Sequence, residues 1–191
     1  FRTAVSVPEI VASSSMLGNC KITGDLVTND NLVIGEKDSN SFAATSQLIV
    51  LPVNTKITSL PGETIKINGV VNEAFGNNVL KASAKIMLDN NSYSIEVVDG
   101  KFSLDLELQK NIRSEKHTIE ISAFDSKGNS GSSSVLLDIT AVPTYIKTEL
   151  SADNILPGSR VDITSSLYDQ ADDLINLSLD LELTAPNSNN V

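Results

Sequence analysis

The side chains that could perform acid–base or nucleophilic chemistry are few in this sequence. There is one histidine, His117, and one cysteine, Cys20. His117 is in step with Ile119 and Ile121, so we expect it at the edge of a buried strand face, in a structural role. Cys20 lies beside Ile22 in a strand-like segment, and a lone cysteine is most often a small buried hydrophobe. No serine lies in a G-x-S-x-G nucleophile motif, and we predict that the chain is not an enzyme.

Three aspartates fall close together in a predicted turn, at Asp169, Asp172 and Asp173. Calcium is bound by roughly six to eight oxygen atoms, often carboxylates from loops of this kind. The sequence lacks the spacing of an EF-hand calcium loop, and turns also select aspartate because its side chain bonds to the nearby backbone. We therefore expect no cofactor and interpret the cluster first as a turn. Calcium bound by Asp169, Asp172 and Asp173 as metal ligands is the alternative.

Two N-x-S sequences could accept a glycan, Asn90-Asn91-Ser92 and Asn176-Leu177-Ser178. The first falls in a predicted exposed turn, where a bulky sugar is tolerated. The second leads into a predicted strand, which suits a glycan less well. We predict Asn90 and Asn176 as glycosylation sites. Two sequons in a chain rich in Asn and Ser give only weak support for export.

The composition excludes several kinds of function. With 14 basic and 24 acidic residues the net charge is −10, which argues against a nucleic-acid partner because such binding uses clustered Lys and Arg. A single cysteine cannot form an internal disulfide, and one Cys with one His cannot complete a typical zinc site. The longest apolar run, Leu48–Val53, is too short to cross a bilayer. We therefore expect no membrane insertion within this segment.

Apolar and polar residues alternate with a period of two along most of the chain. Clear cases are Phe102 to Leu108 and Leu177 to Leu183. This pattern is typical of antiparallel strands with one buried face. Turn sequences separate the runs, among them Asp99-Gly100 and Pro61-Gly62. The sequence therefore predicts an all-β chain built of antiparallel β-sandwiches.

An internal repeat divides the chain. Leu60–Ile67 recurs as Leu156–Ile163 at an offset of 96 residues, and Asn40-Ser41 matches Asn129-Ser130 at an offset of 89. A repeat of about 90 residues fits one small sandwich per copy. We predict a partial β-sandwich (the C-terminal half of a repeat) over 1–53. A complete sandwich is predicted over 54–142, and a second partial one (the N-terminal half of a repeat) over 143–191.

The two half-repeats need completion, because a half-sandwich would expose strand edges and an apolar face. The chain begins Phe1-Arg2, so we expect that it was cut from something longer, and it is most simply a window from a longer array. Alternatively, the two halves pack on one another, or neighbouring molecules complete each other by strand donation.

The central repeat resembles a known family. Its motifs are Pro61–Gly69, Asp99–Ser103 and His117–Asn129, which are similar to the "PGxxVxIxG", "dGxFs" and "hTIxIxAxDxxGN" motifs of bacterial and archaeal immunoglobulin-like (Big-type) repeats. Those repeats occur in large secreted and cell-surface proteins. The resemblance implies tandem immunoglobulin-like β-sandwich domains. Antibody-type domains differ, because they carry a core Trp and a Cys pair.

The resemblance also implies a function class. It indicates a non-catalytic structural or interaction segment of a modular extracellular protein: a stalk, envelope layer, filament or adhesin. Expected partners are other copies of the chain, neighbouring repeats of a longer chain, or a cell-surface or envelope protein, and the expected location is extracellular or at the cell surface. The alternatives are a ligand- or partner-binding module and an accessory spacer attached to an exported enzyme.

Overall fold

The computed structural model describes residues 16–184. Within that range the chain forms fourteen β-strands and no α-helix, and most strand pairs are antiparallel. The predicted fold class, all-β with antiparallel sheets, is therefore confirmed. The strands are β1 (Gly18–Cys20), β2 (Thr23–Val27), β3 (Val33–Asp38), β4 (Phe42–Ala44), β5 (Leu48–Pro52), β6 (Lys56–Ser59), β7 (Thr64–Glu73), β8 (Lys81–Leu88), β9 (Asn91–Val98), β10 (Lys101–Glu107), β11 (Lys116–Asp125), β12 (Ser130–Ile139), β13 (Pro143–Leu150) and β14 (Ile163–Asp169).

Alternation along the sequence explains the central strands. In β7 the side chains of Ile65 and Ile67 are buried while Lys66 between them is exposed. In β11 Ile119 and Ile121 are buried in the same alternating way. Burying an apolar side chain stabilises the fold by about 1.5–3 kcal/mol, so a one-residue slip of register would be costly. The period-two pattern therefore sets which face of each strand forms the core.

One predicted strand is not formed. Residues Leu177 to Leu183 alternate as a strand should, but no strand lies there, and Leu177, Leu181 and Leu183 are exposed. A strand is stabilised by a hydrogen-bonded neighbour and by burial of one face. Among residues 16–184 no strand pairs with this segment, so its pattern alone does not hold it in a sheet.

Strands β5 to β12 form one hydrogen-bonded sheet, which we call the central sheet. Its strand order is β5-β7-β10-β9-β8-β11-β12-β6. The pairing of β12 with β6 is parallel, from Leu136 opposite Lys56 to Ile139 opposite Ser59. The remaining strands form three two-stranded sheets, β1-β4, β2-β3 and β13-β14.

The chain divides into two compact units. Among the described residues, unit 1 contains 16–53, 68–103 and 120–134, and unit 2 contains 54–67, 104–119 and 135–184. The predicted domain boundaries after residues 53 and 142 stay predictions. The outer ends of the two predicted half-repeats, 1–15 and 185–191, lie outside the described residues. No helix within 16–184 is long and apolar enough to cross a membrane.

Unit 1 holds the β8–β9 hairpin, the β5–β7 pairing and the two small sheets formed by β1 to β4. Its core includes Leu48, Val71, Ile86 and Phe102. Unit 2 holds the β6–β12 pairing and the β13–β14 hairpin. The buried side chains of unit 2 include Ile65, Ile67, Leu106, Leu108, Ile119, Val135, Leu137 and Ile139.

The structure reproduces the repeat at an offset of 96 residues. In β5–β7 Val50 lies opposite Val71, and in β13–β14 Ile146 lies opposite Leu167, so both pairs share one register. The turns that follow also match. The amide of Val79 donates to the carbonyl of Val71 (3.3 Å), and the amide 96 residues later, Ile175, donates to Leu167 (3.0 Å).

The register at an offset of 89 residues is not reproduced as pairing. Strands β11 and β12 are neighbours in the central sheet, whereas β3 pairs with β2 and β4 pairs with β1. A sequence match of a few residues identifies related segments, but strand pairing also depends on which neighbours are available.

Candidate functional site: the Asp169 loop

The Asp169 loop comprises residues 169–173 and follows β14. It is a tight five-residue turn, in which the amide of Asp169 donates to the carbonyl of Asp173 (2.9 Å) and the amide of Asp172 donates to that of Asp169 (3.2 Å). Asp172 has a φ of 62°, a left-handed conformation that Asp and Asn tolerate better than most residues. The loops Thr28–Leu32, Glu73–Asn77 and Asp125–Asn129 have the same first backbone bond, so this turn occurs four times within residues 16–184.

The carboxylate of Asp169 is almost completely buried, with 1 % of the residue exposed. Its Oδ1 accepts hydrogen bonds from the amides of Ala171 (2.9 Å) and Asp173 (3.0 Å). Its Oδ2 accepts a hydrogen bond of 2.6 Å from the hydroxyl of Ser114. Burial by itself raises the pKa of Asp169, but these hydrogen bonds and the charge of Arg113 outweigh it, and the net pKa is lowered. Asp169 is therefore held ionised, with both oxygens in use.

Gln170 makes a second set of contacts at the same place. Its Nε2 donates to the carbonyl of Ile112 (2.7 Å) and to the hydroxyl of Ser114 (2.8 Å). Its Oε1 accepts a hydrogen bond of 2.9 Å from the amide of Val142, just before β13 begins. We call the contacts of Asp169 and Gln170 with Ile112, Ser114 and Val142 the junction. They attach the β13–β14 hairpin to the segment that precedes β11.

Two further contacts border the junction. Arg113 and Asp173 form an ion pair with an N–O distance of 3.0 Å, but both side chains are exposed, so the pair adds little stability. The ring of His117 is buried, and its Nε2 lies 3.0 Å from the carbonyl oxygen of Arg113. The predicted burial of His117 is confirmed, and its ring contacts the backbone that leads to Ser114.

A tyrosine pair lies on the same hairpin. The rings of Tyr145 and Tyr168 stack with centroids 4.9 Å apart and planes at 11°, across the β13–β14 pairing. Desolvation and the nearby carboxylate of Asp172 raise the pKa of the Tyr145 hydroxyl. The stack therefore adds cross-strand packing beside the Asp169 loop.

The three aspartates predicted as calcium ligands have different contacts. Asp169 accepts a hydrogen bond from Ser114, Asp173 forms an ion pair with Arg113, and the carboxylate of Asp172 lies near the hydroxyl of Tyr145. Within 16–184 no group of three or more His, Cys, Asp or Glu side chains is arranged to hold a metal ion. The calcium site stays a prediction. Thermal unfolding with calcium and with a chelator tests it, and identical melting curves would remove it.

The two predicted glycosylation sites lie on the surface. Asn90 occupies the exposed turn between β8 and β9. Asn176 is exposed, and the strand predicted to follow it is not formed. Both asparagines are accessible, and their glycosylation stays a prediction. Cys20 is partly buried, and its thiol donates to the carbonyl of Met16 (3.0 Å).

A second concave surface lies in unit 1 between β8, β9 and the end of β11. It is an open groove of about 510 Å³ with Lys81 and Glu96 among its polar residues and Val98 and Phe124 among its apolar ones. The last two side chains are about half exposed. The sequence does not reveal this groove, because it forms where the β8–β9 hairpin meets the end of β11, which is distant from that hairpin in the chain.

Comparisons with known proteins assign no family. No protein-family model matches the chain, and no curated protein matches it. A bacterial 1.5-MDa ice-binding adhesin, solved to study retention at the host cell surface, is similar with a TM-score of 0.36 and 14 % identity, covering 65 % of this chain and 44 % of that one. This chain therefore spans less than half of that adhesin structure.

Two other solved structures show likenesses of similar size. The FN1-FN3 domains of chicken CNTN1 give a TM-score of 0.31 and 13 % identity, covering 73 % of this chain and 49 % of that one. The superoxide reductase of Ignicoccus hospitalis gives 0.31 and 8 %, covering 49 % and 79 %. At these TM-scores the likenesses decide nothing about function, and the junction has to be interpreted on its own geometry.

Proposed function

We propose that this chain is a non-catalytic structural and interaction segment of a modular extracellular protein. In this proposal immunoglobulin-like β-sandwiches follow one another along the chain, and their role is spacing and display at a cell surface. The observation that supports the proposal is the junction, where Gln170 and Asp169 fasten the β13–β14 hairpin to the segment before β11 and to Val142.

The connection between repeats is short and constrained. Only residues 140–142 separate β12 from β13. The amide of Val142 is held by Gln170, and the next residue, Pro143, has a fixed φ and no amide hydrogen to donate. A connection of this kind favours a defined orientation over a flexible tether, which is what a spacer requires.

The chemistry of the junction is that of a fixed contact. Asp169 is buried and ionised, and Ser114 and two backbone amides satisfy both of its oxygens. Removing one partner of such a buried charge costs more than an exposed contact would. The residues most suited to chemistry in this part of the chain are therefore used to hold backbone in place.

Surface labelling of intact cells tests the extracellular assignment. An antibody raised against the whole chain should label the producing cells without permeabilisation, and an antibody against a cytoplasmic enzyme serves as the control. Label that appears only after permeabilisation would overturn the proposal. Purified chain added to cells that do not produce it, followed by the same antibody, controls for adsorption of released protein to the surface.

A further inference from the structure

The β13–β14 hairpin matches β5–β7 of the central sheet at an offset of 96 residues. Strand β7 is paired on both sides, with β5 and with β10. Its counterpart β14 is paired with β13 in the same register. Apart from an isolated bridge between Tyr168 and Leu174, no strand within the described range pairs along the other edge of β14.

One face of the hairpin is apolar at the positions that are buried in the central sheet; Leu167 is buried there too, but two other positions are exposed. Ile67 of β7 is 1 % exposed, whereas Ile163 at the equivalent position of β14 is 47 % exposed. Val50 of β5 is 5 % exposed, whereas its counterpart Ile146 is 48 % exposed. The hairpin therefore keeps the apolar alternation of a strand pair that belongs to a larger sheet, and the open edge of β14 is where that sheet could be extended by pairing.

The β7–β10 pairing shows what kind of strand fits such an edge. The amide of Leu108 donates to the carbonyl of Glu63 (2.9 Å), which sets an antiparallel register with Lys66 across from Asp105. Opposite charges that face each other across strands are favourable. At the offset of 96 residues Asp162 stands where Lys66 does, so the equivalent partner strand needs a basic residue in place of Asp105.

A second position distinguishes the edge of β14 from that of β7. A Cβ atom at Gly69 would lie 2.7 Å from the ring of Phe102, so this aromatic ring packs directly over a residue without a side chain. The equivalent residue of β14 is Ser165. A strand that covers β14 therefore needs a side chain smaller than Phe at the position of Phe102.

We propose that the open edge of β14 binds an extended peptide strand. The strand runs antiparallel and is apolar at alternate positions like β10, with a small apolar residue opposite Ser165 and a basic residue opposite Asp162. This inference rests on the proposed tandem organisation, since the offset of 96 residues defines the partner. Main-chain hydrogen bonds supply affinity in strand addition, and the alternate side chains supply specificity.

The amides that would bind this strand follow from the central sheet. The amide of Val71 donates to the carbonyl of Gly100 (2.7 Å), on the side away from β5. Amides on one strand point alternately to its two neighbours, so those of Leu167 and Ser165 point away from β13. They are the donors that a bound strand would protect from solvent exchange.

The experiment appends a strand to the full chain. A copy of residues 99–108 carrying F102V and D105K is joined to residue 191 through a flexible linker, which supplies an effective concentration of about 1 mM. The matched control is the unchanged copy of 99–108 on the same linker. We expect hydrogen exchange at Ser165 and Leu167 to slow at least about tenfold in the first fusion relative to the unfused chain, and clearly less in the second.

Variants of the edge complete the test. S165P removes one donor amide and should abolish the protection of Leu167, whereas S165A keeps the amide and should retain that protection. Equal protection by both appended strands, no protection, or protection that survives S165P would overturn the proposal. Protection that rises with concentration in the unfused chain would show a second copy as the occupant and would also overturn it. None of these outcomes alters cell-surface labelling, so the proposed function is tested separately.

Discussion

Ser114 donates a hydrogen bond of 2.6 Å to Asp169 across 55 residues of sequence. The carboxylate that accepts this bond is buried, and its other oxygen accepts hydrogen bonds from two backbone amides of the Asp169 loop. One hydroxyl therefore connects the segment before β11 to the turn after β14. Its contribution to stability can be measured directly.

Replacing Ser114 with alanine should loosen the β13–β14 hairpin. A hydrogen bond to a charged group contributes about 1.5–3 kcal/mol, so the S114A variant should lower the opening free energy of the Asp169 loop by that amount. Hydrogen exchange at the amides of Ala171 and Asp173 reports it. S114T keeps the hydroxyl and should stay near the parent value. Equal exchange in S114A and the parent chain would contradict the assigned role.

Acid should weaken the junction through Asp169. The folded-state pKa of Asp169 lies below its usual value of 3.8, so its contribution to stability is fully present above about pH 4 and is lost as the pH falls through the folded pKa. Urea unfolding between about pH 2.5 and about pH 7 should show this loss in the parent chain. D169N should have a shallower decline in that window because it has no proton to take up. If the unfolding free energies of the parent chain and of D169N fall equally between these pH values, Asp169 is not the group responsible.

The Asp125 loop should depend on its carboxylate in the same way. Oδ1 of Asp125 accepts the amides of Lys127 (2.8 Å) and Asn129 (2.9 Å), and Oδ2 accepts the side-chain amide of Asn129 (2.7 Å). D125A should lower the free energy of unfolding by about 1–3 kcal/mol. D125N keeps an acceptor oxygen and should lose less. The measurement is urea unfolding at neutral pH, and indistinguishable midpoints for the two variants would contradict the prediction.

Gly131 should tolerate no side chain. A Cβ atom there would overlap the carbonyl oxygen of Leu48, which is backbone and cannot rotate away. G131A should therefore lower the free energy of unfolding by on the order of 3 kcal/mol. G24A is the matched control, since only the carbonyl oxygen of Lys37 lies near, at 3.9 Å, and it should change stability by less than about 0.5 kcal/mol. Similar melting temperatures for the two variants would refute the close approach.

The repeat could be predicted from sequence because its residues are local. Leu60-Pro61-Gly62 and Leu156-Pro157-Gly158 specify the same turn, and Gly62 and Gly158 both have a positive φ, of 78° and 86°. The alternation that follows then sets the strand face. The alternation of Leu177 to Leu183 predicted a strand wrongly, because a period of two describes a strand that has a partner and cannot supply the partner.

The role of Asp169 could be located but not identified from sequence. The cluster of Asp169, Asp172 and Asp173 indicates a special turn, yet turn formation and calcium binding select the same residue types. In the structure the Asp169 carboxylate accepts a hydrogen bond from the hydroxyl of Ser114, which in turn accepts one from the side-chain amide of Gln170. These contacts give Asp169 a structural role. Neither Ser114 nor Gln170 belongs to a motif, and their meeting depends on tertiary structure.

The parallel pairing of β6 with β12 sets how the chain would respond to a pulling force. The chain enters this pairing at Lys56 and leaves it at Ile139, and the amide of Leu136 donates to Thr55 (2.9 Å) while that of Thr140 donates to Ser59 (3.1 Å). Because the strands are parallel, tension between the preceding and following chain loads these bonds together, in shear. They would have to break together, whereas the bonds of a hairpin pulled from its open end break one after another.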